Sequence, residues 1–167
     1  MNTGITNMDQ NDDALRSIII ALLRRRVPES MIASMVYLID WRCVLKTGAQ
    51  ATRIAWSIDS DGPDTTALEP FVLSVRDQDR QIIGSLLKTP TNTLPGMTGD
   101  AYAAIIHVLS IDMCRRPTTL LTMVRSTWPV FHAGTGEAKV VDLVAEAAAY
   151  RHASPMGVWP NAEAEAA

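Results

Sequence analysis

The stretch "MVYLIDWRCVLKTGAQATRIAWSIDSDGP", Met35 to Pro63, decides how the chain is read. Its first half is apolar almost all round a helical circumference: Ile32 just upstream, then Met35, Val36, Leu38, Ile39, Cys43, Val44 and Leu45. A helix without a broad polar face belongs in the centre of a domain. Its bounds are set by Pro28, which stops the preceding helix and leaves Glu29 or Ser30 to open this one, and by Gly48, which takes a left-handed cap cheaply after about Thr47. From Arg53 to Asp59 the period changes. Ile54, Trp56 and Ile58 alternate with Arg53, Ser57 and Asp59, as on a half-buried strand. "DSDGPD", Asp59 to Asp64, then reads as a turn.

Working outward, residues 1–11 form a polar lead-in expected to be flexible. Asp12 or Asp13 caps a helix whose apolar positions Leu15, Ile18, Ile19, Leu22 and Leu23 share one face. Beyond the turn, Asp64 or Thr65 caps a short helix through about Ser74, limited by Pro70. "RDQDRQ", Arg76 to Gln81, reads as a turn, and Gln81 to Lys88 as a second strand. Thr89 to Asp100 is a polar loop, after which Thr98 or Asp100 caps a long helix reaching Cys114. Pro117 ends that helix, Thr118 or Thr119 caps a short one through about Ser126, "STWPVFHAGTGEAK" is a loop, and a last helix runs from about Val140 to Arg151. Residues 154–167 carry too little apolar content to order themselves. The expectation is a mainly α (α+β) fold: one domain over 12–153, five to six helices, and a small antiparallel β-ribbon.

The 167 residues, 47% hydrophobic and 20% charged, suit one self-sufficient globular domain. A net charge of −3 argues against a dominant nucleic-acid footprint, with Arg24 to Arg26 and Arg115 to Arg116 as local basic exceptions. Cys43 and Cys114 lie within apolar helical patterns without Cys-x-x-Cys spacing. They read as small core residues of a reducing compartment, the cytoplasm. The N-terminus has neither the basic nor the apolar part of a signal peptide, and the longest apolar run, Ile18 to Leu23, is too short to span a bilayer.

Chemistry is sparse. His107 and Cys114 share a helical face, but nothing completes a metal site. Ser34, Cys43 and Ser126 lack a nucleophile elbow, and His132 lacks an orienting carboxylate. Asp59, Asp61 and Asp64 around Gly62-Pro63 fit a turn and miss the glycine and terminal glutamate of a calcium hand. "GTGE" at Gly134 to Glu137 is too short for a phosphate loop. Neither a cofactor nor a metal nor a catalytic activity is expected. The tryptophans say more: Trp41, Trp56, Trp128 and Trp159 stand against only two phenylalanines, and such residues serve either a core or an interface. Trp159 is the one a core explains least.

The order of features carries a resemblance. "MVYLIDWRCVLKTG", the strand "RIAWSID", the "DGP" turn, and later "LLTMVRSTWPVF" followed by "VVDLVAEAAAYR" together resemble the Panacea domain family, also met as the SocA-like antitoxin or GepA-type phage-associated domain. Matching motif positions are Tyr37, Leu38, Asp40, Trp41, Gly48, Trp56, Gly62, Pro63, Ser126, Thr127 and Pro129. Departures are Ser34 or Met35 where lysine is common, Ile39 for a small residue, Asp61 for the aromatic before Gly-Pro, and Arg125 for a tyrosine. The resemblance implies a non-catalytic antitoxin that neutralises a toxin protein, encoded by the adjacent gene, through direct contact. The surface it suggests is built from Tyr37, Asp40, Trp41, Trp56, Asp61, Gly62, Pro63, Trp128 and Pro129. A phage- or prophage-encoded accessory protein that binds a host or defence factor is the alternative. Membrane partners are not expected, and the oligomeric state, a dimer included, is left open.

Overall fold

The computed structural model describes residues 12–66, 68–86, 89–111, 116–133 and 137–153, without the side chains of 79–86. Cys114, Trp159, the Gly134 end of "GTGE", and the 1–11 and 154–167 termini lie outside the described residues.

Helix α1 spans Asp13–Arg24, and the Asp12 carboxylate accepts the Leu15 N–H at 3.0 Å as its cap. Helix α2 spans Glu29–Thr47 and is the axis of the fold: every residue from Met35 to Trp41 is buried. Gly48 closes it in the left-handed region at φ 80°, with its N–H on the Val44 carbonyl. Because α2 is apolar all round, it is walled on all sides, by α1, by α3 (Leu68–Leu86), α4 (Gly99–Ser110), α5 (Pro117–Arg125) and α7 (Leu143–Ala153). Arg151 of α7 donates to the Val44 and Leu45 carbonyls at 2.9 and 2.6 Å, adding a side-chain cap to the C-terminal carbonyls of α2.

A three-stranded antiparallel sheet in the order β2-β1-β3 is formed by β1 (Ser57–Asp59), β2 (Gly62–Pro63) and β3 (Lys139–Val140). Its register pairs Ile58 with Pro63 on one side and Lys139 on the other. Between β1 and β2 the Asp59 carboxylate accepts the Asp61 and Gly62 N–H groups at 2.7 and 3.1 Å, which is what a tight Asp-x-x-Gly turn needs. The alternation read from Arg53 to Asp59 holds in burial, with Ile54, Trp56 and Ile58 inside, although only Ser57–Asp59 pairs as strand.

The mainly α, α+β architecture matches the expectation, and several elements differ in detail. The second strand expected over Gln81 to Lys88 is corrected: residues through Leu86 continue α3, and "RDQDRQ" is helix rather than turn. Pro70 falls in the first turn, where its missing N–H has no partner to lose. Leu68, Phe71, Val72 and Val75 then bury at helical spacing. Arg76, inside the supposed turn, pairs with Glu29 at the start of α2 at 2.8 Å. The ribbon's other strand comes instead from Lys139–Val140, so the last helix starts at Leu143, with the Asp142 carboxylate accepting the Val144 and Ala145 N–H groups. Pro117 opens α5 where it was expected to end α4, and the loop expected around Trp-Pro holds a short helix α6, Trp128–His132. Both proline positions follow the same first-turn rule.

The polar loop before α4 is pinned to α1. Ser17 donates to the Pro95 carbonyl at 2.6 Å, and Gly96, at φ 69°, sits so close that a Cβ there would stand 2.6 Å from the Ala14 nitrogen. Thr98 then caps α4 through the Ala101 N–H at 3.1 Å.

Candidate functional site

Six of the nine expected surface residues, Tyr37, Asp40, Trp41, Trp56, Gly62 and Pro129, are buried. Asp40, in the middle of α2, is fully buried, and its carboxylate accepts the Thr52 N–H (2.9 Å), the Thr52 hydroxyl (2.5 Å), the Trp56 indole N–H (2.9 Å) and a Gln50 amide N–H (3.4 Å). Burial pushes its pKa up, against hydrogen bonds led by Thr52 and Trp56 that hold it down. Its role is to clamp residues 50–56 onto the helix after the Gly48 stop. Trp56 is itself fully buried and meets Tyr37 edge to face, with ring centroids 5.3 Å apart. The Tyr37 hydroxyl lies 2.8 Å from Thr127 Oγ1, whose own proton goes to the Val124 carbonyl at 2.7 Å, so Tyr37 is the donor. Burial raises the Tyr37 phenol above its ordinary range. Tyr37, Asp40 and Trp56 therefore support a surface from within and do not form one.

Trp41, 5% exposed, starts something different. Its ring faces Tyr150 of α7 edge-on at 6.2 Å, and Tyr150 faces Trp128 of α6 at 5.6 Å. Trp128 and His132 lie one helical turn apart and stack at 3.7 Å, and Phe131 meets His132 edge-on at 5.1 Å. His132 Nδ1 donates to the Trp128 carbonyl at 3.0 Å, since a carbonyl can only accept, and this fixes its tautomer. An aromatic row thus runs from the central helix to the surface. It ends at Phe131, 75% exposed, with Val140 of the edge strand 74% exposed and Val144 also open. Trp128 is half-buried and Pro129 buried. Tyr150 and Phe131 were missed by sequence reasoning, and His132 was weighed there only as a catalytic base; the Trp-Pro start and the Trp128-to-His132 spacing of four are the signals that mark a helical turn there.

Asp61, Gly62 and Pro63 lie at the tip of the ribbon. Gly62 is buried against Val124 of α5, Pro63 is half-buried, and Asp61 is exposed. Arg125 reaches Asp61 with Nη2 on its carboxylate at 3.1 Å and Nε on its carbonyl at 3.3 Å. Asp61 and Arg125 are thus partners across the ribbon tip. β2 packs on α5 and β1 on α6, so the ribbon tip and the aromatic row belong to one side of the molecule.

No family model, curated protein or solved structure matches this chain. Its chemistry is read from its own residues. Among the described residues no three His, Cys, Asp or Glu side chains gather as metal ligands, and no helix is long and apolar enough to cross a membrane. Cys43 is buried, and burial, the largest of several causes, pushes its thiol up to about 12. The Asp64 carboxylate is spent on the Thr66 N–H and hydroxyl, which lower its pKa, so the acidic turn is self-capped. His107 on α4 keeps a buried Nε2 without a partner.

Proposed function

We propose that this chain is a non-catalytic protein-binding module that neutralises a partner toxin by direct contact, as an antitoxin of the kind its resemblance to the Panacea domain family implies. The observation that carries the reading is Phe131. A phenylalanine left 75% exposed at the end of a row of interlocked rings is a rigid apolar anchor, and such anchors concentrate binding energy at interfaces because little side-chain entropy is lost on docking. Val140 and Val144 are further exposed apolar side chains, and Val140 shares a surface hollow with His132, the ring Phe131 meets. Co-expression with the product of the adjacent gene tests the proposal: the chain should co-purify with that protein and relieve its toxicity, and failure of both rejects it.

The Asp61–Arg125 pair favours a second reading, an accessory protein of phage or prophage origin that binds a host or defence factor. An ion pair where the family carries aromatics changes what the ribbon tip presents to a partner. A pull-down from host lysate separates the two, because recovery of the neighbouring toxin alone rejects the accessory reading.

A further inference from the structure

Behind the aromatic row lies a pocket of about 90 Å³, open at one side, between α2, α4, the C-terminal end of α5, α6 and α7. Leu38, Trp41, Trp128 and Tyr150 supply apolar and aromatic wall, and Arg42 and His107 supply the polar edge. The two hydroxyls on its rim are already spent, Ser126 on the Met123 carbonyl and Thr127 on the Val124 carbonyl, each at 2.7 Å. Among the described residues Arg42 has neither a hydrogen-bond nor an ion-pair partner, and His107 Nε2 is buried and unpaired. One buried nitrogen without a partner and one partly exposed, permanently cationic guanidinium therefore line the same apolar hollow.

We propose that this pocket binds a small monocarboxylate, with its hydrocarbon part against Trp41 and Trp128 and its carboxylate on the Arg42 guanidinium and the His107 Nε2–H. The chemistry of both ends is complementary. A guanidinium presents paired donors that match a carboxylate, and the Nε2–H tautomer of a neutral imidazole adds a third. A buried nitrogen without a partner costs free energy that such a ligand recovers. Burial and the charge of Arg42 both hold the His107 pKa down, which favours a neutral ring, and a carboxylate at Nε2 selects the tautomer that donates there. Size limits the hydrocarbon. An apolar cavity of about 150 Å³ admits benzene, so this smaller pocket encloses a branched group of roughly four carbons, and a larger ring protrudes through its open side. The proposal stands apart from the toxin-binding reading and is tested on the chain alone.

Titration of the ¹⁵N-labelled chain with 3-methylbutanoate, with phenylacetate, and with 3-methylbutanamide as the uncharged isostere follows the indole N–H resonances of Trp41 and Trp128. The expected result is a saturable shift of both with at least one acid, at about millimolar Kd for so small a ligand, with the amide about tenfold weaker. Arg42→Gln should abolish the preference for acid over amide, and Arg42→Lys should keep part of it, in proteins whose circular dichroism is unchanged. No saturable shift with either acid overturns the proposal. So does equal binding of acid and amide, or an acid preference that survives Arg42→Gln.

Discussion

The Trp56 indole N–H donates to the Asp40 carboxylate at 2.9 Å, and both side chains are sealed from solvent. This bond joins the central helix to the chain that follows its glycine stop, and it places the ribbon against α5 and α6. Asp40→Ala leaves the Thr52 and Trp56 donors buried without an acceptor. We expect a loss of about 3–5 kcal/mol in chemical denaturation, the scale for breaking a buried charged network. A loss below about 1 kcal/mol would show that the clamp is not structural.

The same carboxylate sets a pH dependence. Its folded pKa is raised, mainly by burial, so the folded state holds this proton more tightly than the unfolded chain. The group's contribution to stability is then fully present below the unfolded carboxylate range, near pH 4, and is lost as pH rises through the raised folded value. Relative to Asp40→Asn, which cannot titrate there, the wild-type protein should lose stability over that interval and run parallel above it. Denaturation midpoints of the two proteins across pH 4–8 check this, and parallel curves throughout would contradict it.

Much of this architecture is legible in the residues, for identifiable reasons. Helix α2 and its Gly48 cap could be read because all-round apolarity, a preceding proline and a following glycine point the same way. Buried Trp56 could be read from strict alternation. The misread elements are those where a local signal has two meanings. Pro70, Pro117 and Pro129 look like breakers, yet each sits in a first turn that needs no N–H. β3 is two residues long and exists only because β1 offers it an edge, which no local pattern encodes. Of the site, Trp128 was visible as a residue type. Its neighbours Tyr150 and Phe131 were not, because the row is assembled from three helices, α2, α6 and α7.

Gly96 offers a sharper steric test than Gly48. Both have positive φ, but a methyl at Gly96 would stand 2.6 Å from the α1 backbone, whereas one at Gly48 meets open space. Gly48→Ala should cost about 1 kcal/mol for its left-handed backbone alone. Gly96→Ala should cost more, about 2–4 kcal/mol, because the loop must also move off α1. Thermal unfolding of the two variants checks the order, and a Gly48→Ala penalty equal to or above that of Gly96→Ala would contradict it.

Cys43 should be chemically silent in the folded state. Burial pushes its thiol up to about 12, leaving almost no thiolate at pH 8. Alkylation by iodoacetamide, read by peptide mass spectrometry so that Cys43 is followed separately, should proceed only after addition of denaturant. Rapid native labelling of Cys43 would show that the α2–α4 packing opens.

The Asp61–Arg125 pair separates folding from recognition. Its side chains are largely exposed, at 84% and 48%, so exchanging their charges in Asp61→Arg with Arg125→Asp should change stability by less than about 1 kcal/mol. An effect on partner affinity without one on unfolding would place the ribbon tip in the interface, and an unfolding midpoint shifted well beyond that limit would contradict the solvated-pair reading.

The central claim, that the exposed end of the aromatic row is the partner-binding surface, is tested most directly by the affinity of Phe131→Ala for the protein encoded by the adjacent gene. Measured by titration calorimetry on the co-expressed pair's separated components, affinity should fall by about 30-fold or more, the effect of removing an interface anchor, while the thermal unfolding midpoint stays within about 2 °C of wild type. An unchanged Kd for Phe131→Ala, with the wild-type complex intact, would contradict the account.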